Sequence, residues 1–322
     1  MTEPMLLHGD ALELLRTIPD KSVALVLTDP PYNIGKADWD KSDGYIDWCL
    51  VWLRECCRVL KDNGVLYFWH NDMPQIAQLM NAIAGELPLI FDSFCIWNKG
   101  DTFRKTAWCS DQSSLRCWFN VCEFCVHYFM QPVDERTGLE RINSNPACFR
   151  ELKDWYRDEL RRLGLTQRDV AAAYTAATGK STAMLRHYFQ DSQFEIPTQA
   201  VWDAVYIPLG FSRTFEELRS SYEELRNPHN ADENHCNVWD VPAVPSTGRV
   251  HPCEKPVPLL QRIVRVSSRP GDTVLDCFMG SGTTGLAAVA EGRGFIGIER
   301  DGKYFNIARQ RIENAAAQMT LF

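Results

Sequence analysis

Long apolar runs are missing from this 322-residue chain, and no stretch approaches the roughly 18 residues that a membrane span needs. The opening MTEPMLLHGDALELL carries acidic residues and lacks the charged-then-apolar layout of a secretion signal. A cytoplasmic location is therefore expected, with no part for a membrane. The 12 cysteines lack the even spacing of a small disulfide scaffold and read as reduced thiols. Cys122-x-x-Cys125 has no second Cys pair or His pair at zinc-finger spacing, and VCEFCVHYF reads better as a buried strand than as a metal loop. His229, His235 and Cys236 lie near one another and leave a metal site as a minor alternative; none is the expectation, because the Cys122–Cys125 pair reads better as part of a buried strand. No internal repeat or low-complexity tract appears. Hydrophobic residues make up 45% and charged residues 24%, which excludes a disordered tail, a collagen-like chain and a pure coiled coil.

Positive charge is also in short supply: 34 Lys and Arg against 42 Asp and Glu, a net −8. Taken alone, that argues against a nucleic-acid partner. The distribution is uneven, however. Arg141 to Gln190 holds 9 Lys/Arg against 5 Asp/Glu, and Arg249 to Arg269 holds 5 against 1, so each is locally +4. Local basic surface governs phosphate contact more than the whole-chain sum does.

Up to about residue 130, short apolar runs alternate with helical patterns. Ser22–Leu27 is a continuous apolar strand that stops at Thr28-Asp29-Pro30-Pro31. Residues 45–60 show helical spacing, Asp62-Asn63-Gly64 ends that helix, and Val65–Trp69 reads as the next strand. A helix at 74–84, a strand at 91–97 and a strand at 122–129 follow. From about 150 to 226, strand-like runs give way to short helices, with Thr166 as a helix cap, a turn at Gly179 and a helix start near Pro197. After 250 the α/β rhythm returns: helix 256–267, strand 273–277, a glycine turn, helix 283–291, strand 294–298 and a helix from about 303. The expected architecture is an α/β sheet covered by helices on both faces, interrupted by a mostly helical insert. The boundaries expected are 1–140 with 235–322 for the α/β domain and 141–234 for the insert.

Two segments carry chemistry. In Val274–Thr284 a strand feeds Gly280-Ser281-Gly282, which opens a helix; ligands settle at such strand ends, where glycine lets them approach the backbone. The turn does not end in Gly-Lys-Ser/Thr, so it is not a P-loop. Glu299 follows 17 residues after Gly282, at the end of the next strand, where a carboxylate can accept both hydroxyls of a ribose. The other segment is Asp29-Pro30-Pro31-Tyr32. An exocyclic base amine has its lone pair delocalised into the ring and is a poor nucleophile. Accepting its two N–H groups at Asp29 Oδ and the Pro30 carbonyl draws the nitrogen toward a tetrahedral shape and frees that pair. The prolines hold the acceptors in place, and Tyr32 can stack on the base.

Thr28–Tyr32 together with Asp276-x-Phe278-x-Gly280-Ser281-Gly282-Thr283-Thr284 resembles the S-adenosylmethionine-dependent DNA amino-methyltransferases, over roughly residues 5–130 and 235–315. With the Asp-Pro-Pro-Tyr motif first and the glycine motif last, the order is that of the circularly permuted beta class. The resemblance implies a Rossmann-like methyltransferase sheet and S-adenosyl-L-methionine as cofactor. It assigns Asp276, Phe278, Gly280, Ser281, Gly282 and Thr283 to cofactor contact and Glu299 to the ribose. His8-Gly9-Asp10-Ala11-Leu12 is similar to the stretch whose acid meets the adenine of the cofactor, which gives Asp10 that role. His251-Pro252-x-Glu254-Lys255-Pro256 is similar to the His-Pro-x-x-Lys-Pro segment, which places His251, Lys255 and Pro256 at the methionine end. Asp29, Pro30, Pro31 and Tyr32 would be catalytic. The substrate implied is double-stranded DNA with the target base flipped out. A homodimer and a cognate restriction nuclease are the partners the family suggests. Asp at the first motif position leans to adenine N6; cytosine N4 is the alternative.

Within the insert, Leu165-Thr166-Gln167-x-x-Val170-Ala171 and Ser181-Thr182-x-x-Leu185-Arg186 resemble a helix-turn-helix with a somewhat long turn. Such a recognition helix would offer Lys180, Ser181, Thr182, Arg186 and His187 to the major groove; the bland reading is a helical bundle that only packs. Lys99, Arg104, Lys105 and Arg116 could meet phosphate, with a solvated loop as the default. Three other readings fit less well. A cytosine-C5 enzyme built on Pro252-Cys253 or Ala147-Cys148 leaves Asp29–Tyr32 unexplained. RNA or protein amino-methyltransferases usually carry the motifs in the opposite order. A non-catalytic DNA-binding regulator would not need either motif intact.

Overall fold

The structure is a computed structural model and describes residues 3–35, 43–100, 120–130, 149–182, 185, 188–189, 194–230, 236–245, 247, 249–251 and 253–319. The chain divides into two compact units, Met1–Met130 with Asn227–Phe322, and Gln131–Arg226.

The first unit is built on a sheet. Among the described residues its strands are β1 (Met5–His8), β2 (Val23–Thr28), β3 (Leu60–His70), β4 (Leu89–Asn98), β5 (Cys122–Met130), β6 (Val238–Asp240), β7 (Thr273–Asp276) and β8 (Gly294–Glu299), in the order β1-β8-β7-β2-β3-β5-β4-β6. From β1 to β3 every neighbour is parallel, so their carboxyl ends share one edge. β5 runs antiparallel between β3 and β4.

Strand β2 is buried along its whole length, as a parallel strand covered on both faces must be. Its side chains alternate. Val26 faces a core with α1 (Ala11–Leu15), α2 (Tyr45–Val59) and α3 (Met73–Glu86). Leu25 and Leu27 face a second core that includes Leu259, Leu260, Ile263, Ala287, Ala308 and Ile312. The helices on that face, after α4 (Arg150–Leu163), α5 (Gln167–Thr178) and α6 (Phe215–Leu225) of the other unit, are α7 (Val257–Ser267), α8 (Thr283–Ala290) and α9 (Gly302–Met319). The result is a three-layer α/β/α unit.

From β7 the chain steps outward through α8 to β8; from β2 it steps the other way through α2 to β3. The crevice at the carboxyl ends of β7 and β2 is therefore a topological switch point, where such sheets bind ligands.

Two expectations need correction here. Asp62-Asn63-Gly64 does not end α2, which stops at Val59. It lies within β3, where the pairing with β2 jumps from Val23↔Leu60 to Leu25↔Val65. The extra residues of β3 are taken up in a bulge, and a Cβ on Gly64 would stand 2.8 Å from Leu60 Cδ2 and the Lys61 carbonyl. The second concerns 91–129: β4 and β5 are antiparallel partners, not successive parallel strands.

The second unit contains α4, α5 and α6 around an aromatic core of Phe149, Tyr156, Tyr174, Tyr188, Phe189, Phe194, Trp202, Tyr206 and Phe211. Helix α5 starts with the expected Thr166 cap, whose backbone N–H donates to Asp169 (2.7 Å), and ends at Gly179. Residues 183, 184, 186 and 187 of the helix expected over Ser181–Phe189 lie outside the described residues, and its far end is not helical. Tyr188 pairs with Glu195 in a β-bridge, and Phe189 sits in the left-handed region at φ 57°. Both neighbouring aromatics are buried, Phe189 stacked on Tyr156 at 4.2 Å. Lys180, Ser181 and Thr182 are exposed; Arg186 and His187 lie outside the described residues, as do Arg104, Lys105 and Arg116.

Candidate active site

Thr28 closes β2, and Asp29-Pro30-Pro31 stops the ladder because neither proline has an N–H to give. Next to it, β7 ends at Asp276 and turns through Gly280 (φ 52°) and Gly282 (φ 81°) into α8. Any side chain at Gly282 would be strained by that φ and would meet Ala308 Cβ at 2.9 Å and Cα at 3.0 Å, so glycine is required. The two strand ends are tied together through Asp276. Its Oδ1 accepts from Thr28 Oγ1 (2.8 Å) and Phe278 N (3.1 Å), and its Oδ2 from Thr284 Oγ1 (2.6 Å).

A cleft opens between them, with about 580 Å³ of space between atoms counting its open mouth. It is lined by Asp29, Pro30, Pro31 and Tyr32 from one side and by His251, Lys255, Asp276, Phe278, Gly280, Ser281 and Thr283 from the other. Segments far apart in sequence thus share one cavity, and Lys255 and Asp29, 226 positions apart, are in direct contact.

The other expected residues lie off this cleft. Glu299 ends β8 and reaches it through the glycine turn: its Oε2 accepts from Gly280 N (2.9 Å) and its Oε1 from Asp301 N (2.7 Å). Burial raises its pKa above the ordinary glutamate value, against the pull of those N–H groups. Asp10 follows β1, whose His8 pairs with Glu299, and caps α1 by accepting from Leu12 N (2.9 Å). Pro256 is the cap of α7. Gly282 opens α8.

Asp29 is gripped on both oxygens. The Tyr32 hydroxyl donates to Oδ1, and Lys255 Nζ donates to Oδ2 at 2.5 Å. Tyr32 is buried; its ring lines the cleft and stacks on His70 at 4.8 Å. Burial, then the Asp29 charge, pushes its hydroxyl pKa well above the usual value. Burial alone would lower the Lys255 pKa, but the carboxylates of Asp29 and Glu123 outweigh it and hold the ammonium charged. Burial instead lowers the pKa of His251, and its ring lies 3.6 Å from where a Cβ on Gly280 would be.

Sequence reasoning missed several residues here. Tyr45 donates to the Pro31 carbonyl (2.8 Å) and contacts His70 Nε2 (2.9 Å), while His70 Nδ1 accepts from Asn71 N and Asp72 N, both at 3.0 Å. This chain of bonds fixes the double-proline turn. Arg311 donates to the Ser281 carbonyl and to Glu254, both at 2.8 Å, clamping the glycine turn to the 251–255 segment. Glu123 faces Lys255 from β5. Only Glu254 lay inside a quoted motif; the others sit in helix or strand patterns that give no chemical signal. Among the described residues no group of three His, Cys, Asp or Glu could hold a metal, and no helix is long and apolar enough to cross a membrane. His235 lies outside the described residues.

Asp276 gives a pH test. Burial raises its carboxyl from 3.8 to about 6, against its three hydrogen bonds. A folded-state pKa above the unfolded one favours the protonated fold, so this contribution is complete below about pH 4 and is lost as pH rises through about 6. Its size is on the order of 3 kcal/mol. In thermal melts, the difference between wild type and Asp276→Asn should therefore change between pH 4 and 6 and stay flat above 7.

Comparison with known proteins places the arrangement. The family model described as DNA methylase matches residues 23–310. The type II methyltransferase M.BglI of Bacillus subtilis is 45% identical over 95% of this chain and 84% of its own length. The DNA adenine methyltransferase YhdJ of Escherichia coli K12 is 30% identical over 97% of this chain and 83% of its own. The solved M1.HpyAVI–SAM complex shares the fold, with a TM-score of 0.53, 17% identity, and coverage of 96% of this chain and 100% of that one. The chain belongs to the DNA methylase family, and its α/β unit has the methyltransferase fold.

Proposed function

We infer that this chain is a site-specific DNA methyltransferase of the beta class that transfers the methyl of S-adenosylmethionine to adenine N6. The observation that carries the reading is the single cleft shared by the Asp29–Tyr32 turn and the glycine turn after β7.

The residues present fit the cofactor. Phe278, Gly280, Ser281 and Thr283 line the cleft without a side chain at the tightest turn. Glu299 presents a carboxylate already ordered by two backbone N–H groups, with lone pairs left for ribose hydroxyls. Asp10, two residues beyond the end of β1, would meet the adenine of the cofactor. His251 over Gly280 is held toward its neutral form and adds no positive charge beside a sulfonium. Bound S-adenosylmethionine supplies a methyl group on a positively charged sulfur, so no metal or covalent enzyme intermediate is required.

Asp29 and the Pro30 carbonyl accept the N–H groups of the flipped adenine, localising the nitrogen lone pair. The N–C bond would form as the S–C bond of the sulfonium breaks, its electron pair staying on the sulfur to leave a neutral thioether; positive charge develops on N6 and a proton departs, with Asp29 the base at hand. Preorganised acceptors of this kind act without reorganising during the reaction. Asp276 serves as a tether between the two strand ends, because all three of its hydrogen bonds go to protein donors. The helical unit would take part in choosing the target sequence, with the exposed Lys180, Ser181 and Thr182 among the residues it offers to DNA.

Labelled methyl groups from S-adenosylmethionine should enter duplex DNA that contains adenine. Duplexes without adenine should remain unlabelled; labelling of those would transfer the assignment to cytosine N4.

A further inference from the structure

Behind the cleft, four buried or half-buried groups alternate in charge. Lys99 Nζ meets Glu123 Oε1 at 2.8 Å, Lys255 Nζ meets Glu123 Oε2 at 3.3 Å, and Lys255 Nζ meets Asp29 Oδ2 at 2.5 Å. Glu123 lies near the start of β5, opposite Trp97 of β4 and one residue before the ladder with β3 begins, and its side chain is only 8% exposed; that of Lys255 is 5% exposed. A carboxylate is costly to bury there, and its retention calls for a physical reason.

We propose that Glu123 is a positioning residue for methyl transfer: it shares the charge of Lys255, so that Asp29 keeps its own for the substrate amine. This rests on the reading of Asp29 as the amine acceptor. Lys255 lies against Asp29 in a dry environment, where a lone ammonium would neutralise the carboxylate and repel the positive charge developing on N6. Glu123 supplies the second negative charge that Lys255 needs, and Lys99, at the end of the neighbouring β4, pins Glu123 in place. The ammonium also lies 5.1 Å from the Trp69 ring and 5.8 Å from Tyr32, which limits its movement to the line between the two carboxylates.

A purely structural ion pair would make a different prediction. Glu123→Gln keeps the size and hydrogen-bonding reach but loses the charge; Glu123→Asp keeps the charge but loses a methylene. If charge matters, Gln should lower kcat on duplex DNA by about tenfold to a hundredfold with KM for S-adenosylmethionine little changed, while the melting temperature also falls because two buried ammonium groups lose a partner. Asp should then retain more activity than Gln. A Gln variant with wild-type kcat, or an Asp variant that falls to or below it, would overturn the proposal. Should Glu123→Gln fail to fold, Lys99→Gln carries the same test: a smaller loss in kcat at constant KM is expected, and no loss contradicts the role. The wild-type rate, measured alongside, reports on the function itself. An inactive wild type would contradict the methyltransferase reading, whereas an active wild type with an unimpaired Glu123→Gln would contradict only the role of Glu123.

Discussion

Asp29→Ala is expected to reduce methyl transfer by at least ~10²–10³-fold, the scale lost when one preorganised hydrogen-bonding partner is removed from a reacting centre. Cofactor affinity should stay nearly constant, because Asp29 sits on the β2 side of the cleft and makes no bond to the glycine turn. The variant should fold, since Lys255 retains Glu123 as a buried partner and Thr28 still ties β2 to Asp276. Single-turnover transfer to duplex DNA, with cofactor binding measured by calorimetry on the same sample, separates the two effects. Full activity in Asp29→Ala would remove the residue from the reaction; a loss explained wholly by weaker cofactor binding would move it to the other half of the site.

Glu299→Ala should give the opposite split. Its carboxylate orders the turn by accepting from Gly280 N and is the acceptor expected for the ribose. Hydrogen bonds to a charged group contribute about 1.5–3 kcal/mol, so the dissociation constant for S-adenosylmethionine should rise roughly tenfold to a hundredfold. At saturating cofactor the transfer rate should recover much of its wild-type value, because Asp29, Pro30 and Lys255 are untouched. Glu299→Gln, which keeps a carbonyl oxygen toward Gly280, should fall between the two. Calorimetric titration with the cofactor reads the change directly, and unchanged binding in the Ala variant would take Glu299 out of the cofactor site.

What the sequence could disclose depended on how local the signal was. The run Ser22–Leu27 broken by two prolines, and Gly280-x-Gly282 between a strand and a helix, are contiguous patterns, and the strands and turns appear there. β1 and β6 escaped notice because four and three residues are too few to show a period. The antiparallel placement of β5 follows from pairing partners far away in the chain, which alternation alone does not reveal. At the far end of the helix expected over Ser181–Phe189 a tertiary effect shows: Tyr188 and Phe189 leave the helical pattern and join the aromatic core. In the site, motif residues could be named but not their partners. Lys255 lines the cleft as part of its segment and is also bonded to Asp29, and only folding brings Glu123 and Lys99 near it. Tyr32 lines the cleft too, while its hydroxyl meets Asp29 and its ring stacks on His70.

The account comes down to which atom receives the methyl group. The decisive measurement is mass spectrometry of nucleosides from duplex DNA incubated with the protein and S-adenosylmethionine bearing a deuterated methyl. N6-methyldeoxyadenosine carrying the label is the predicted product, absent when Asp29→Ala replaces the wild type. Label on cytosine C5, or label in DNA that persists undiminished in Asp29→Ala, would contradict it.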